Sequence, residues 1–167
     1  MHVNVYGFLS FIMKLGVIPL NLNTAVFGEI EMPEEQIYHF PKGIPGFENE
    51  HQFALLFEEN SPFMYMQSLQ NKDLSFVVTD PFSFYPDYEF DLPDNEAEEL
   101  HIDDDLFIKC ILTVRDSVKD STVNLLAPLV FNPKNRLAKQ IVLRQVPYQT
   151  KHLLWQHPQG LNEKEGV

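Results

Sequence analysis

The sequence predicts a mainly β protein, a single small domain whose antiparallel sheet curls into a barrel or packs as a small sandwich, with one or two short helices. Three observations lead there. From Phe107 to Arg115, Ile108, Cys110, Leu112 and Val114 alternate with Phe107, Lys109, Ile111, Thr113 and Arg115, so one wholly apolar face recurs at period two. Next, Thr122 to Phe131 and Leu137 to Leu143 flank Asn132-Pro133-Lys134-Asn135-Arg136, a turn sequence between two strand patterns that predicts a hairpin with a basic tip. Finally, 167 residues with 44% hydrophobic and 13% aromatic side chains suffice for one buried core. No internal repeat or linker divides them.

Taken in order, residues 1–19 form an extension expected to be loosely ordered, 20–155 the β domain and 156–167 a tail. Val3 to Leu20 is mostly apolar, yet Lys14 interrupts it, Pro19 breaks it, and no basic residue precedes it, which argues against a signal peptide or membrane span. Ala25 to Glu31 and Gln36 to Phe40 read as short strands, separated by Pro33-Glu34-Glu35, a helical first turn with proline at N1. Phe53 to Phe57, Phe63 to Leu69 and Leu74 to Thr79 follow as strands, the last two joined by the polar turn Gln70 to Asp73. Asp94 to His101 is the other helical stretch, with Asp94 as N-cap. Pro128, inside the predicted strand 122–131, marks an edge or a bulge.

Charge limits the partners. There are 24 Asp and Glu against 12 Lys and Arg, a net charge of -12. Such a chain does not bind nucleic acid or an anionic membrane through charge, because both need Lys and Arg to neutralise phosphates. A basic or polar protein suits it better. The acids are also concentrated: residues 29 to 105 hold 20 of them against two bases, Lys42 and Lys72, while residues 106 to 167 carry a net +5. This region is either a solvated face or an electrostatic docking surface. Cys110, the one cysteine, excludes an internal disulfide and falls on the apolar face of its strand, where it reads as a small buried hydrophobe.

No catalytic constellation stands out. The six histidines are scattered without metal-ligand spacing, and His101-Ile102-Asp103-Asp104-Asp105 lacks the glycine and terminal glutamate of a calcium loop. No nucleophile elbow, phosphate-cradling glycine loop or dinucleotide fingerprint occurs, so no cofactor is expected. The best enzyme or ligand-binding alternative is Asp80 to Asp91, where rings alternate with acids as in a sugar site, in which two carboxyls cleave the bond. The same pattern describes an amphipathic segment with Phe82 and Phe84 packed inward.

Four strings narrow these choices. Phe27-Gly28-Glu29-Ile30-Glu31, His39-Phe40-Pro41-Lys42-Gly43-Ile44-Pro45-Gly46-Phe47-Glu48, Phe76-Val77-Val78-Thr79-Asp80-Pro81-Phe82 continuing to Pro86-Asp87-Tyr88, and Val123-Asn124-Leu125-Leu126-Ala127-Pro128-Leu129 closely resemble, in order and spacing, the FliW family of flagellar assembly factors. The resemblance spans about Leu22 to His152. It implies a non-enzymatic cytoplasmic protein with a β-barrel-like fold that binds flagellin and antagonises CsrA, an RNA-binding translational repressor, at a surface away from its RNA groove. Flagellin translation is then coupled to flagellin export.

Within the matched strings, Pro45-Gly46 suits a type II turn, with Phe40 and Phe47 pinning the loop to the barrel. Phe40, Gly43, Pro45, Gly46 and Phe47 are candidates for partner contact as well as structure. Asn124, polar in an apolar strand, is expected to satisfy backbone groups at the bulge or to meet a partner. Asp87, Glu89, Asp91, Asp94 and Glu96 are the candidates for docking CsrA, on charge density. Two departures from the family pattern are the added residues 1–19 and the C-terminal Pro147 to His152, where Gln149 and Lys151 replace a common serine and arginine. Lysine lacks the guanidinium fork, which weakens any carboxylate contact there.

Overall fold

The computed structural model describes residues 19–155. The first 18 residues and the tail 156–167, and with them the expected character of both ends, lie outside the described residues. Eleven strands and one α-helix make up the described fold: β1 (Leu20–Thr24), β2 (Gly28–Met32), β3 (Ile37–His39), β4 (Gln52–Phe57), β5 (Phe63–Ser68), β6 (Ser75–Thr79), α1 (Asp94–Glu99), β7 (Phe107–Thr113), β8 (Thr122–Val123), β9 (Leu129–Asn132), β10 (Leu137–Gln140) and β11 (His152–Leu153).

Seven of the strands close on themselves. The order β7-β6-β5-β4-β3-β10-β9 returns to β7 through the pairing of Phe107, Ile108 and Lys109 with Phe131, Val130 and Leu129. This is a barrel, not a sandwich. All its pairings are antiparallel except one: β3 and β10 run parallel, registered at Leu137 opposite His39, with the His39 N–H donating to the Arg136 carbonyl at 2.8 Å. β8 and β11 extend the sheet beyond β7, and β1 and β2 form a separate hairpin.

Every barrel strand sends side chains into the lumen, including Tyr38, Phe53, Leu55, Met66, Val78, Leu129, Phe131 and Ala138, and Phe40 joins them from the loop after β3. The outer faces are apolar too. Ala54 and Leu56 pack under the β1–β2 hairpin against Leu22 and Met32, and Ile108, Cys110, Leu112 and Val130 pack against Tyr88, Leu100 and Leu125 in a third core. The apolar face of β7 seen in the sequence therefore points outward, into that third core, while Phe107 and Ile111 of the opposite face pack against the lumen core.

Several elements differ from expectation for identifiable reasons. The predicted strand 25–31 is a hairpin turn followed by β2: the Thr24 hydroxyl accepts the Phe27 N–H at 2.9 Å and donates to the Gly28 carbonyl at 3.0 Å, and Gly28 has φ 71°. Pro33 is the extended N-cap of a 3-10 turn (Glu34–Gln36), not its first helical residue. Likewise Pro93, not Asp94, caps α1, no side chain completes the cap, and the helix ends at Glu99, before His101 at φ 53°. The predicted strand 122–131 is broken between β8 and β9 at Asn124–Pro128, and β7 and β10 stop at Thr113 and Gln140. In the tight β5–β6 connection, the buried Gln67 Nε2 faces the carbonyls of Ser68, Asn71, Lys72 and Leu74 at 3.0–3.2 Å; two protons shared among four acceptors fix that turn.

Of the three glycines among the described residues, Gly43 tolerates a side chain least. Its φ is 64°, and a Cβ there would lie 2.6 Å from the Phe47 carbonyl oxygen. Gly46, at φ 88°, has open space around it. Gly43→Ala should therefore cost about 2–4 kcal/mol, combining left-handed strain with a backbone clash, and Gly46→Ala only about 1 kcal/mol. Urea denaturation of the two variants beside the wild type checks the order.

Candidate functional site

Two surfaces collect the residues singled out in the sequence. The first is the loop after β3. Phe40 is buried and edge-on to Phe53 and Phe131, and the Gly43 N–H returns to its carbonyl at 2.9 Å. Ile44, also buried, opens the turn Ile44-Pro45-Gly46-Phe47, which is closed by the Phe47 N–H donating to the Ile44 carbonyl at 2.6 Å. The positive φ of Gly46 at the third position is that of a type II turn. Glu48 braces the tip: its Oε1 accepts the Gly46 N–H at 2.9 Å, and that bond, with one from its own N–H, holds its carboxyl below the usual range. Phe40 thus pins the loop from inside. Phe47 stays 39% exposed, with its ring edge-on to Phe76 at 5.2 Å, so it forms part of the outer surface together with Pro45 and Gly46.

The second surface is the segment from Asp80 to Asp94. Asp80 accepts the Phe82 N–H at 2.9 Å and pairs with Lys109 at 3.5 Å. Tyr88 drives the segment onto the third core: it is buried, and its hydroxyl donates to the Leu125 carbonyl at 2.8 Å. Burial raises its pKa, so the phenol remains a donor throughout the ordinary pH range. The Tyr148 hydroxyl donates to the Glu89 carbonyl and accepts the Glu89 N–H, both at 3.0 Å. Tyr85 donates to the Leu153 carbonyl. Between these anchors Asp87, Glu89, Asp91 and Asp94 stand exposed, and none of them has a cation within salt-bridge distance among the described residues.

Glu96 is placed differently. It turns inward from α1 onto Lys139 of β10, which also meets Glu99 at 2.6 Å, and Glu99 in turn meets Lys42 of the β3 loop at 2.6 Å. This chain of ion pairs joins helix, barrel wall and loop, and it is invisible in the sequence because each lysine is 40 or more residues from the glutamate it meets. Asn124 braces the break between β8 and β9, its Oδ1 accepting the Ala127 N–H at 3.0 Å while its own N–H donates to the Ile111 carbonyl. At the C-terminal motif, the Gln149 N–H donates to His152 Nε2 at 2.8 Å, and burial lowers the His152 pKa, both favouring the neutral ring.

The segment 80–91 does border a cleft of about 320 Å³, lined by Phe82, Tyr88, Glu89, Phe90, Leu106 and Ile108 among others. Among the described residues Glu89 is the only carboxylate lining it, whereas glycoside cleavage requires two across the bond. Phe82 is exposed at the cleft mouth, not packed inward. Among the described residues no three His, Cys, Asp or Glu side chains converge as metal ligands, and no helix is long and apolar enough to cross a membrane.

Comparisons with known proteins agree in one direction. The family model described as FliW protein matches residues 21–154. A flagellar assembly factor FliW of Bacillus pumilus (strain SAFR-032) is 44% identical over 136 residues, covering 80% of this chain and 94% of the relative, and that of Bacillus subtilis (strain 168) is 46% identical over 134 residues, covering 78% and 94%. A crystal structure of the flagellar assembly factor FliW superposes with a TM-score of 0.77 at 43% identity, covering 82% of this chain and 98% of that one.

Two outcomes follow from this geometry. Glu99 is held below its ordinary 4.5 by hydrogen bonds from Lys139 and then Lys42, so its stabilisation is present above about pH 4.5 and is lost as the pH falls through the lowered value. Burial alone would push the Lys139 ammonium down, but Glu96 and Glu99 outweigh it and leave it raised above 10.5, so its contribution holds below that value and is lost as the pH rises through the raised one. Lys139→Ala should cost about 1–3 kcal/mol at pH 7, between exposed and buried pairs, and the gap to wild type in denaturant melts should narrow as acid protonates Glu99. Cys110, buried and pushed up to about 12, should resist a maleimide at pH 8 in the folded protein and react at once in denaturant.

Proposed function

The chain belongs to the FliW family of flagellar assembly factors, and on that premise we propose that it works in the cytoplasm by binding flagellin and by antagonising CsrA, so that flagellin synthesis follows flagellin export. Neither step requires chemistry; both are exchanges of protein partners. The observation that carries the CsrA half is the row Asp87, Glu89, Asp91 and Asp94, exposed and free of cation partners among the described residues, on a segment fixed by Tyr88. A protein that grips RNA presents Lys and Arg, and such a partner is attracted to this row while RNA phosphates are repelled from it. Glu96, already committed to Lys139, contributes to the field without being free to re-pair. The exposed tip Pro45-Gly46-Phe47, on a loop locked from within by Phe40 and Gly43, is the proposed second contact surface, and Asn124 supports the frame beneath the 80–94 segment.

A reversal set, Asp87→Lys, Glu89→Lys, Asp91→Lys and Asp94→Lys, should lower the affinity for the CsrA of the same bacterium by more than tenfold at low salt, with the difference shrinking at high salt as screening shortens the reach of charge. Isothermal titration at two ionic strengths measures this, and wild-type affinity in the reversed protein would remove the acidic row from the mechanism. Titrating flagellin into the preformed CsrA complex should release CsrA if the two partners exclude one another, as the proposed coupling requires.

A further inference from the structure

The cleft beside the acidic row has properties that charge does not explain. Its floor is barrel wall, Ile108 of β7 and Val130 of β9, and its sides are Tyr88, Phe90 and Leu92 of the anchored segment. Its lips, Phe82 and Leu106, remain 45% and 40% exposed. Large apolar side chains held open at a preformed cleft are a feature of recognition sites more than of ordinary surface. The cleft is also rigidly made: Tyr88 is bonded to Leu125, its ring lies against Phe82, Phe90 and Tyr148, and the Asp80 carboxylate caps the turn that carries Phe82. Glu89 lines the cleft, Asp87 and Asp91 flank Glu89 in sequence, and Asp104 and Asp105 precede Leu106.

We propose that this cleft seats an apolar side chain or two of a basic partner segment, whose flanking Lys or Arg side chains pair with the acids around it. The occupant is assigned to CsrA, and to that extent the inference rests on the function proposed above. The charge complementarity supports the assignment: an apolar floor with an acidic surround selects a segment that is apolar at its centre and cationic at its ends. The acids would speed encounter and fix orientation, and the cleft would hold the complex, since buried apolar anchors dominate dissociation.

Because Phe82 and Leu106 are surface residues, Phe82→Ser/Leu106→Ser should fold as the wild type, which a thermal melt verifies. Its affinity for CsrA should fall about tenfold or more, equally at low and high salt, unlike the charge-reversed protein, while flagellin binding stays unchanged. A second variant, Leu106→Cys, places a reactive thiol at the lip while Cys110 stays buried, and CsrA should slow its maleimide labelling about tenfold or more. Unchanged CsrA affinity in the double serine variant, or full-rate labelling within the CsrA complex, would overturn the assignment while leaving the proposed function standing. Loss of flagellin binding in place of CsrA binding would overturn it in favour of flagellin as occupant. Failure of the wild-type protein to bind CsrA at all would refute the function and the cleft assignment together.

Discussion

Phe131 meets three other rings inside the barrel: Phe107 stacks on it at 4.7 Å, and Tyr38 and Phe40 approach edge-on at 5.0 and 5.9 Å. A seven-stranded barrel is too narrow to hold solvent and must be filled by side chains, and this aromatic group, with Phe53, Met66 and Leu129, does the filling. The remaining architecture follows from that constraint. Strands this short, committed on one face to the lumen, still carry apolar residues on the other, and those must be covered as well. The β1–β2 hairpin covers β4, and the 80–104 region with β8 and β11 covers β7 and β9.

The segments available for recognition are therefore the covers themselves. Tyr88 closes the third core from above and simultaneously holds Asp87 and Glu89 in water, so the same residue serves packing and presentation. In the β3 loop, Phe40 faces the lumen while Phe47, seven positions later, faces out, with Gly43 making the reversal sterically possible. Rigid presentation reduces the entropy lost on binding. The pairs through Lys139, Glu99 and Lys42 join these two covers across β10, which places both candidate surfaces on one mechanically continuous frame.

Much of this was legible in the sequence, and unevenly. The β9–β10 hairpin could be read because its turn residues are explicit, and β4 to β7 because apolar runs and polar turns alternate. The position of the third core could not: Ile108, Cys110 and Leu112 show that a face is apolar, but not which side of the wall it lines, since Phe107 and Ile111 on the other face are apolar too. β1 escaped notice because only Leu22 and Thr24 of its five residues are buried, and β11 because two residues make no pattern. Pro93 displaced Asp94 from the cap since the backbone before the helix is extended, which proline adopts at no cost. Of the candidate site, the loop turn was readable from Pro45-Gly46, whereas the inward turn of Glu96 depends on Lys139, and the cleft on Leu106, Ile108 and Val130, all brought in by tertiary pairing alone.

The single parallel seam between β3 and β10 has a bearing on how the protein is made. His39 and Leu137 are roughly one hundred residues apart in sequence, so their pairing is among the costliest contacts in loop-closure entropy. On the ribosome, β3 to β6 can pair as a meander while they emerge, yet the lumen stays open until β9 and β10 follow. Phe40 packs edge-on to Phe131 of β9, so the inner anchor of the β3 loop is complete only once β9 is in place.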